Sequence, residues 1–321
     1  MSIDEGWTNL WRLFVVRSGN YHHRVRKLHE KYGPVVRIGP NLLDLDYPEL
    51  IKTVYGTDES WLKTEFYHNN SVVINGKIVY NVFSTTDPVE HNLVNRPIIK
   101  YLSISSILGL EPLMDKCITE LCDELDTRFA GKDIAKGKLF DLGEWIGYCA
   151  WDLITTITFS HPYGYMKKGH DFDNSIGNLA KTIDYFSAVG QMPFLDFLLD
   201  KNPIIRLGPP NIVNVTLSIL KSIAARQQGK DDRFDPAVPD LLQHFLEAKT
   251  THPDTVDDNT IVGYMMIPLV AGADTTAITI CAIFYFLLRH PETYRKLETE
   301  ILAAGFPKDK PISYAATRSL P

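Results

Sequence analysis

The sequence predicts a mainly α-helical fold with a small β-hairpin near the N-terminus. Apolar residues from Leu113 to Phe129 recur at the spacing of three to four residues that marks a helix. Residues 142–160 are apolar almost all round, as in a buried helix. The alternation and turn residues of strands are confined to residues 35–45 and to a second candidate at residues 72–79. Helix therefore dominates the predicted architecture.

Length and composition narrow the class of protein. A chain of 321 residues can hold one large domain or two smaller ones, and 45% hydrophobic with 22% charged residues is ordinary for a globular protein. The net charge of −6 gives no electrostatic case for binding nucleic acid. The cysteines match no zinc-binding spacing and are too few for a disulfide scaffold, so core packing is predicted for Cys117, Cys122, Cys149 and Cys281. No metal ligands are predicted.

Two helices and the hairpin are predicted to form the N-terminal part. Residues 10–16 are apolar, but the run is too short for a signal peptide and contains Arg12, so it is either an amphipathic surface segment or a packed first helix. Residues 21–32 have a helical pattern that Gly33-Pro34 stops. Residues 35–45 then make the hairpin around a Gly-Pro-Asn turn.

The middle of the chain is predicted to alternate helices with exposed connections. Asp141 is placed to cap the next buried helix, and Glu144 completes a capping box. Pro193 interrupts the apolar stretch of residues 179–199. The charged segment of residues 227–235 is predicted to be disordered.

The most informative stretch is the apolar run of residues 261–289, which carries one carboxylate, Asp274, near its middle. Three hypotheses remain open for it: a transmembrane span, a buried core helix with a satisfied Asp, and a helix that opens over a reactive centre. In the third hypothesis a flat group approaches the backbone at Ala271 and Gly272, because neither side chain protrudes. Asp274 and Thr275 then pass protons to that group.

The segment AGADTT at residues 271–276, followed by RHPETYRKLETEI at residues 289–301, resembles the oxygen-activation motif and the next helix of cytochromes P450. KYGPVVRIGPNLL at residues 31–43 and DLGEWIGYCAWDLITTITF at residues 141–159 are similar to fungal members, those of the pisatin demethylase type above all. The resemblance implies a truncated P450 fold, with residues 1–321 forming a single incomplete P450 domain around a long central helix at about residues 257–290.

The resemblance also implies a function. It points to a haem-thiolate monooxygenase that inserts one oxygen atom from O2 into a small apolar organic substrate, supplied with electrons by a redox partner such as NADPH-P450 reductase. By family position the haem lies against Ala271 and Gly272, Thr275 holds the oxygen by hydrogen bonding, and Asp274 refills the protons. Thr276 is expected to bond back to a carbonyl one turn earlier. Family members usually sit on the endoplasmic-reticulum membrane, but the N-terminal anchor of eukaryotic members is not recognised here.

A second stretch, DPVEHNLVNRPIIKYLSISSI at residues 87–107, resembles the helix that meets the haem propionates. His91 takes the place of the aromatic or His residue of that helix. The family's basic residue follows four positions later, where this sequence has Asn95, and Arg96 comes one residue late. His91 and Arg96 are therefore the cofactor-binding candidates in this stretch.

The cysteine that ligates haem in the family is not found. The glycine-rich FxxGxRxCxG loop has no counterpart, and Cys281 lies in the same helix as Asp274. The ExxR spelling at residues 292–295 is interpreted as a coincidental surface pair. The sequence is thus expected to be truncated before the ExxR helix and the cysteine loop, and the chain alone is expected to be inactive. Two alternatives remain: a non-catalytic fragment or pseudoenzyme, and a membrane-helix protein.

Overall fold

The computed structural model describes residues 8–56, 61–74, 76–130, 139–209, 213–307, 310–318 and 320, and within them it is mainly helical. The α-helices are α1 Leu10–Arg17, α2 Tyr21–Tyr32, α3 Ile51–Val54, α4 Pro88–Asn95, α5 Ile104–Leu108, α6 Glu111–Leu125, α7 Leu142–Phe159, α8 Tyr165–Lys168, α9 Ser175–Val189, α10 Phe194–Leu199, α11 Val213–Gln227, α12 Leu241–Thr251, α13 Asp258–Arg289, α14 Pro291–Ala303 and α15 Tyr314–Thr317. Short 3-10 helices cover Pro48–Leu50, Glu65–Asn70 and Ile99–Leu102, and a π-helical turn covers Asp126–Ala130. The predicted fold class is confirmed.

The chain divides into two compact units. The first comprises Met1–Asn95 and Ile176–Ile212, and the second comprises Arg96–Ser175 and Val213–Pro321.

The hairpin predicted at residues 35–45 is present in the first unit, and the strand candidate at residues 72–79 forms a second antiparallel pair. Strands β1 Val35–Gly39 and β2 Leu42–Leu45 pair antiparallel, and so do β3 Val72–Ile74 and β4 Lys77–Val79. Since the first pair is joined by a local turn, short-range sequence signals are enough to specify it.

Helix α1 is a packed first helix, although its buried residue is a charged one. Arg12 is 6% exposed and donates from Nη2 to the carbonyl oxygen of Gln191 at 3.1 Å, whereas Phe14 is 62% exposed. Burial lowers the pKa of Arg12. The apolar pattern of residues 10–16 thus predicted the helix but not the side that it buries.

A histidine joins α2 to the first hairpin. The Nε2 atom of His29 lies 2.9 Å from Oδ1 of Asp44, and its Nδ1 lies 2.9 Å from the carbonyl oxygen of Gly33. The bond to Asp44 is the main reason why the pKa of His29 is raised above its usual value of 6.5. Protonated His29 therefore stabilises this part of the first unit more than neutral His29 does.

We expect a pH dependence of stability from this pair. A raised folded-state pKa means that the stabilisation is fully present below pH 6.5 and is lost as the pH rises through the folded-state pKa. Replacing His29 with Gln should therefore reduce the free energy of unfolding more at pH 5.5 than at pH 8.5, as measured by urea titration at both values. The exposed His22→Gln is the matched control; an equal loss at both pH values for His29→Gln would contradict the assignment.

In the second unit the core lies between α7 and α13, and α11 and α12 also pack against α13. Asp141 caps α7 as predicted, since its Oδ1 accepts from the N–H groups of Gly143 at 2.8 Å and Glu144 at 3.3 Å. Many of the most buried side chains belong to these two helices: Trp151, Phe159, Ile261, Met265 and Leu269. The predicted burial of α7 is therefore confirmed.

The disorder predicted for residues 227–235 is wrong. Arg226, at the end of α11, reaches forward to Asp231 with a 2.8 Å bond and to Asp240 with bonds of 3.0 and 2.7 Å. Its guanidinium also lies 3.7 Å from the ring centroid of Phe234. The charge composition predicts a solvated segment, but the buried guanidinium of Arg226 binds two carboxylates and holds the loop in place.

Candidate functional site

The long helix α13 differs between its two halves. Its N-terminal half is buried among other helices of the second unit, through residues such as Ile261, Met265 and Leu269. Its C-terminal half is exposed, with Ile278 69% and Leu288 68% accessible. The core-helix hypothesis therefore accounts for the N-terminal half only.

Within the described ranges, α13 is the one helix whose length and composition would allow it to cross a membrane. Only 17% of its most apolar 18-residue window is buried. A single helix of this kind is weak evidence for a membrane span, because core helices pass the same test. The exposed apolar side chains nevertheless show that this half of α13 has a face without a partner among the described residues of the second unit.

Helices α7 and α13 run antiparallel with a defined register. Gly143 lies near the start of α7 and Cys281 toward the end of α13, and a Cβ atom built on Gly143 would lie 3.7 Å from Sγ of Cys281. A Cβ atom on Gly272 would lie 2.9 Å from Cδ1 of Ile154. Residue numbers along α7 thus rise as those along α13 fall.

The register assigns different sides of α13 to Ala271 and Gly272. The space that Gly272 leaves free is taken up by Ile154 of α7, so glycine here permits a close approach of two helices. Ala271 is the member of the pair that is exposed. A flat group that approaches α13 from the exposed side would therefore meet Ala271.

Asp274 is half-buried in the middle of α13. Burial raises the pKa of this carboxyl, and the indole N–H of Trp151 opposes the rise. A carboxyl with a raised pKa spends more of its time protonated near neutral pH, which is the property that a proton donor needs.

Thr275 is exposed, and its hydroxyl donates to the carbonyl oxygen of Ala271 at 2.7 Å. This bond to the carbonyl one turn earlier was predicted for Thr276, and the structure gives it to Thr275 instead. Thr279 repeats it, donating to the carbonyl oxygen of Thr275 at 2.7 Å. Ala271, Thr275 and Ile278 are spaced by four and three residues on the exposed side, and we call them the open stripe of α13.

Candidate residues His91 and Arg96 lie on either side of the boundary between the units. His91 is in α4 of the first unit and partly buried, and Arg96 is the exposed first residue of the second unit. Helix α4 ends at Asn95 because Pro97 disfavours helical backbone in the residue before it. The direction of the Arg96 side chain is therefore not set by the periodicity of α4.

The surroundings of His91 include a cation that the sequence did not reveal. Burial lowers the pKa of His91, and the positive charge of Lys63 lowers it further. The Lys63 ammonium donates to the carbonyl oxygens of Val82 at 3.3 Å and Phe83 at 3.0 Å. Lys63 belongs to a loop without helical or strand periodicity, so no pattern links it to His91.

Three of the four cysteines occupy places that suit the predicted packing, but the prediction is wrong for Cys122, which is exposed. Cys117 and Cys149 are buried, and Cys117 approaches the carbonyl oxygen of Cys149 at 3.8 Å. Cys281 lies next to Gly143 of α7, while Cys122 is exposed on α6. Among the described residues no group of three or more His, Cys, Asp or Glu side chains is arranged to hold a metal ion.

Comparisons with known proteins converge on one family. The family model described as Cytochrome P450 matches residues 2–321. The chain is 39% identical over 315 residues to the cytochrome P450 monooxygenase cfoH of Aspergillus candidus, covering 98% of this chain and 58% of that protein. It is 33% identical to a cytochrome P450 monooxygenase of Aspergillus terreus, covering 98% and 65%, and 31% identical to the monooxygenase mpaDE of Penicillium brevicompactum, covering 98% and 37%. The chain thus spans less than two thirds of the length of these relatives.

Proposed function

The chain belongs to the cytochrome P450 family, and from this premise we propose that it carries the oxygen-facing side of the haem pocket of a monooxygenase. The reaction proposed is insertion of one oxygen atom from O2 into a small apolar organic molecule. The observation that carries the proposal is the open stripe of α13, where the exposed Ala271 and Thr275 lie beside the half-buried Asp274. Residues 1–321 are proposed to form part of a single P450 domain.

The open stripe fits one face of a haem. Ala271 has no side chain beyond Cβ and is exposed, so a flat macrocycle can approach the helix there, and the hydroxyl of Thr275 lies one turn further along. When bound, the haem would supply the redox chemistry that activates O2. Gly272 supports the exposure of Ala271 and Thr275 indirectly, because it lets α7 pack closely against a different side of α13.

Asp274 and Thr275 are proposed to deliver protons to the oxygen. Consecutive helical residues point about 100° apart, so Asp274 lies toward the interior and Thr275 toward the open side. In the structure the Thr275 hydroxyl donates a hydrogen bond to the carbonyl oxygen of Ala271. When an oxygen acceptor is present on the open side, the hydroxyl would rotate and donate to that acceptor instead. Asp274 would then restore the proton, since its raised pKa favours the protonated form.

His91 and Arg96 are proposed to bind the haem propionates, as the family resemblance implies. Carboxylates favour cationic and N–H donors, and Lys63 makes the neighbourhood of His91 positive although Asn95 is neutral. Because its pKa is lowered, His91 is proposed to act as a neutral donor. A redox partner such as NADPH-P450 reductase is proposed to deliver the electrons.

A second candidate function is supported by the cysteines. Cys281 points toward α7, and Cys117 and Cys149 are enclosed, so these three cysteines are not on the open side where a haem would lie. On this alternative the chain by itself is a non-catalytic product.

The two candidates are separated by the absorption spectrum of the reduced, haem-loaded protein with CO. We expect no thiolate-type band from this chain alone. We expect the band from a chimera in which the part of the Aspergillus candidus relative that follows its matched region is fused after residue 321. A thiolate-type band from this chain alone would overturn the expectation of inactivity, and no band from the correctly folded chimera would contradict the proposed haem pocket.

A further inference from the structure

The indole of Trp151 is an unexplained polar group in the core of the second unit. Trp151 is 1% exposed, and its Nε1–H group has no hydrogen-bond partner within bonding geometry. Buried tryptophans usually pair this donor, because an unpaired buried N–H destabilises the fold. The question is which acceptor lies within reach of it.

The register of α7 and α13 answers that question. Gly143 faces Cys281 and Ile154 faces Gly272, so residue numbers in facing pairs sum to about 425. The residue of α13 that this sum places at the same level along the helix pair as Trp151 is Asp274. The one polar N–H group that α7 buries without a partner thus lies level with the one carboxylate in the apolar part of α13.

Electrostatics supports the pairing. Burial raises the pKa of Asp274, and the nearby indole N–H of Trp151 is the influence that lowers it. An N–H donor has this effect because it stabilises the ionised form of the carboxyl.

We propose that Trp151 is a positioning residue that donates its indole N–H to the ionised Asp274 carboxylate and fixes the direction of that side chain. The inference rests on the proposed function, in which Asp274 restores a proton to Thr275. When Asp274 gives up its proton, the indole holds the resulting carboxylate in place until another proton arrives. When Asp274 is protonated, the bond weakens because its acceptor no longer carries a charge.

Three further titratable side chains on the helices that pack against α13 are Asp152, His244 and Arg226. Asp152, beside Trp151 on α7, accepts three backbone N–H groups. His244 on α12 stacks on Tyr101 with ring centroids 4.4 Å apart, and Arg226 on α11 is paired with Asp240. Asp274 is therefore the group whose titration Trp151 should report.

The test is a pH titration of the tryptophan indole N–H resonances by NMR, on the full chain labelled with ¹⁵N-tryptophan and kept in solution by a mild detergent. The chain has five tryptophans. The Trp151 resonance is assigned by Trp151→Phe or, if that variant does not fold, by elimination with Phe at the other four positions. We expect this resonance to move with pH in one step, with a midpoint above 3.8, the ordinary value for Asp.

The matched control is Asp274→Asn, which keeps the shape of the side chain and removes its titration. The step in the Trp151 resonance should disappear in this variant, while Asp152→Asn should retain it if that variant folds. A Trp151 resonance that does not move with pH, or that moves equally in Asp274→Asn, would overturn the proposal. The experiment needs no haem, so its failure is distinct from failure of the proposed function, which the CO spectrum of the chimera reports.

Discussion

Replacing Asp152 with Ala is expected to lower the free energy of unfolding by about 3–5 kcal/mol, the largest stability effect that we expect in the second unit. The residue is fully buried in α7. Its Oδ1 accepts from the N–H groups of Gly164 at 2.7 Å and Tyr165 at 3.1 Å, and its Oδ2 accepts from that of Met166 at 2.9 Å. Alanine would leave these three donors without acceptors at the start of α8.

The effect should be graded by how many of these bonds a substitute keeps. Asparagine can retain the two bonds at one oxygen, but its amide group would face the N–H of Met166, so Asp152→Asn should fall between the native chain and Asp152→Ala. Asp123, exposed on α6, is the control position, where Ala should change stability by less than about 0.5 kcal/mol. The measurement is urea unfolding followed by far-UV circular dichroism. A loss below about 1 kcal/mol for Asp152→Ala would show that the carboxylate does not hold the turn.

The role of Asp152 illustrates which features the sequence could reveal. Asp141 was predicted as a cap because its two donors lie two and three residues away. The donors for Asp152 lie 12 to 14 residues away, beyond the range of any capping pattern. The hairpin of residues 35–45 was predictable for the same reason as Asp141, since its turn and its strands are local.

The candidate site was predictable in its residues but not in their directions. AGADTT placed Ala271, Gly272, Asp274 and Thr275 on one helix, yet only the packing of α7 shows that Gly272 faces Ile154. The hydrogen bond from a threonine hydroxyl to the carbonyl one turn earlier is predicted for Thr276 but is made by Thr275, to Ala271. The motif alone does not tell which of the two adjacent threonines makes this bond. Trp151 was not singled out at all, since its counterpart is more than 100 residues away in sequence.

Replacing Thr275 with Ala is expected to have the largest effect on the proposed reaction. The substitution removes the hydroxyl and its bond to Ala271, while the exposed position and the small size of alanine keep the change in stability low. Positioned proton transfer contributes about 10²–10⁴-fold to a reaction rate, so the yield of product per O2 consumed should fall at least about 10-fold. Oxygen uptake itself should continue, because the substitution removes a proposed proton donor and no group proposed to deliver electrons.

The matched controls separate the hydroxyl from the side-chain volume. Thr275→Ser keeps the hydroxyl and should retain most of the coupling between oxygen uptake and product. Thr279→Ala removes the equivalent bond one turn later, to the carbonyl oxygen of Thr275, and should leave the coupling near that of the unsubstituted chimera. Both variants are compared in the same fused protein as Thr275→Ala.

The central claim is that the open stripe of α13 faces the oxygen in a monooxygenase pocket. The most direct test is the ratio of product formed to O2 consumed by the haem-loaded chimera, measured with a small apolar substrate that the unsubstituted chimera converts. The account predicts that this ratio falls at least about 10-fold in Thr275→Ala and is largely kept in Thr275→Ser. An unchanged ratio in Thr275→Ala would contradict the assignment of Thr275, and with it the proposed direction of the open stripe.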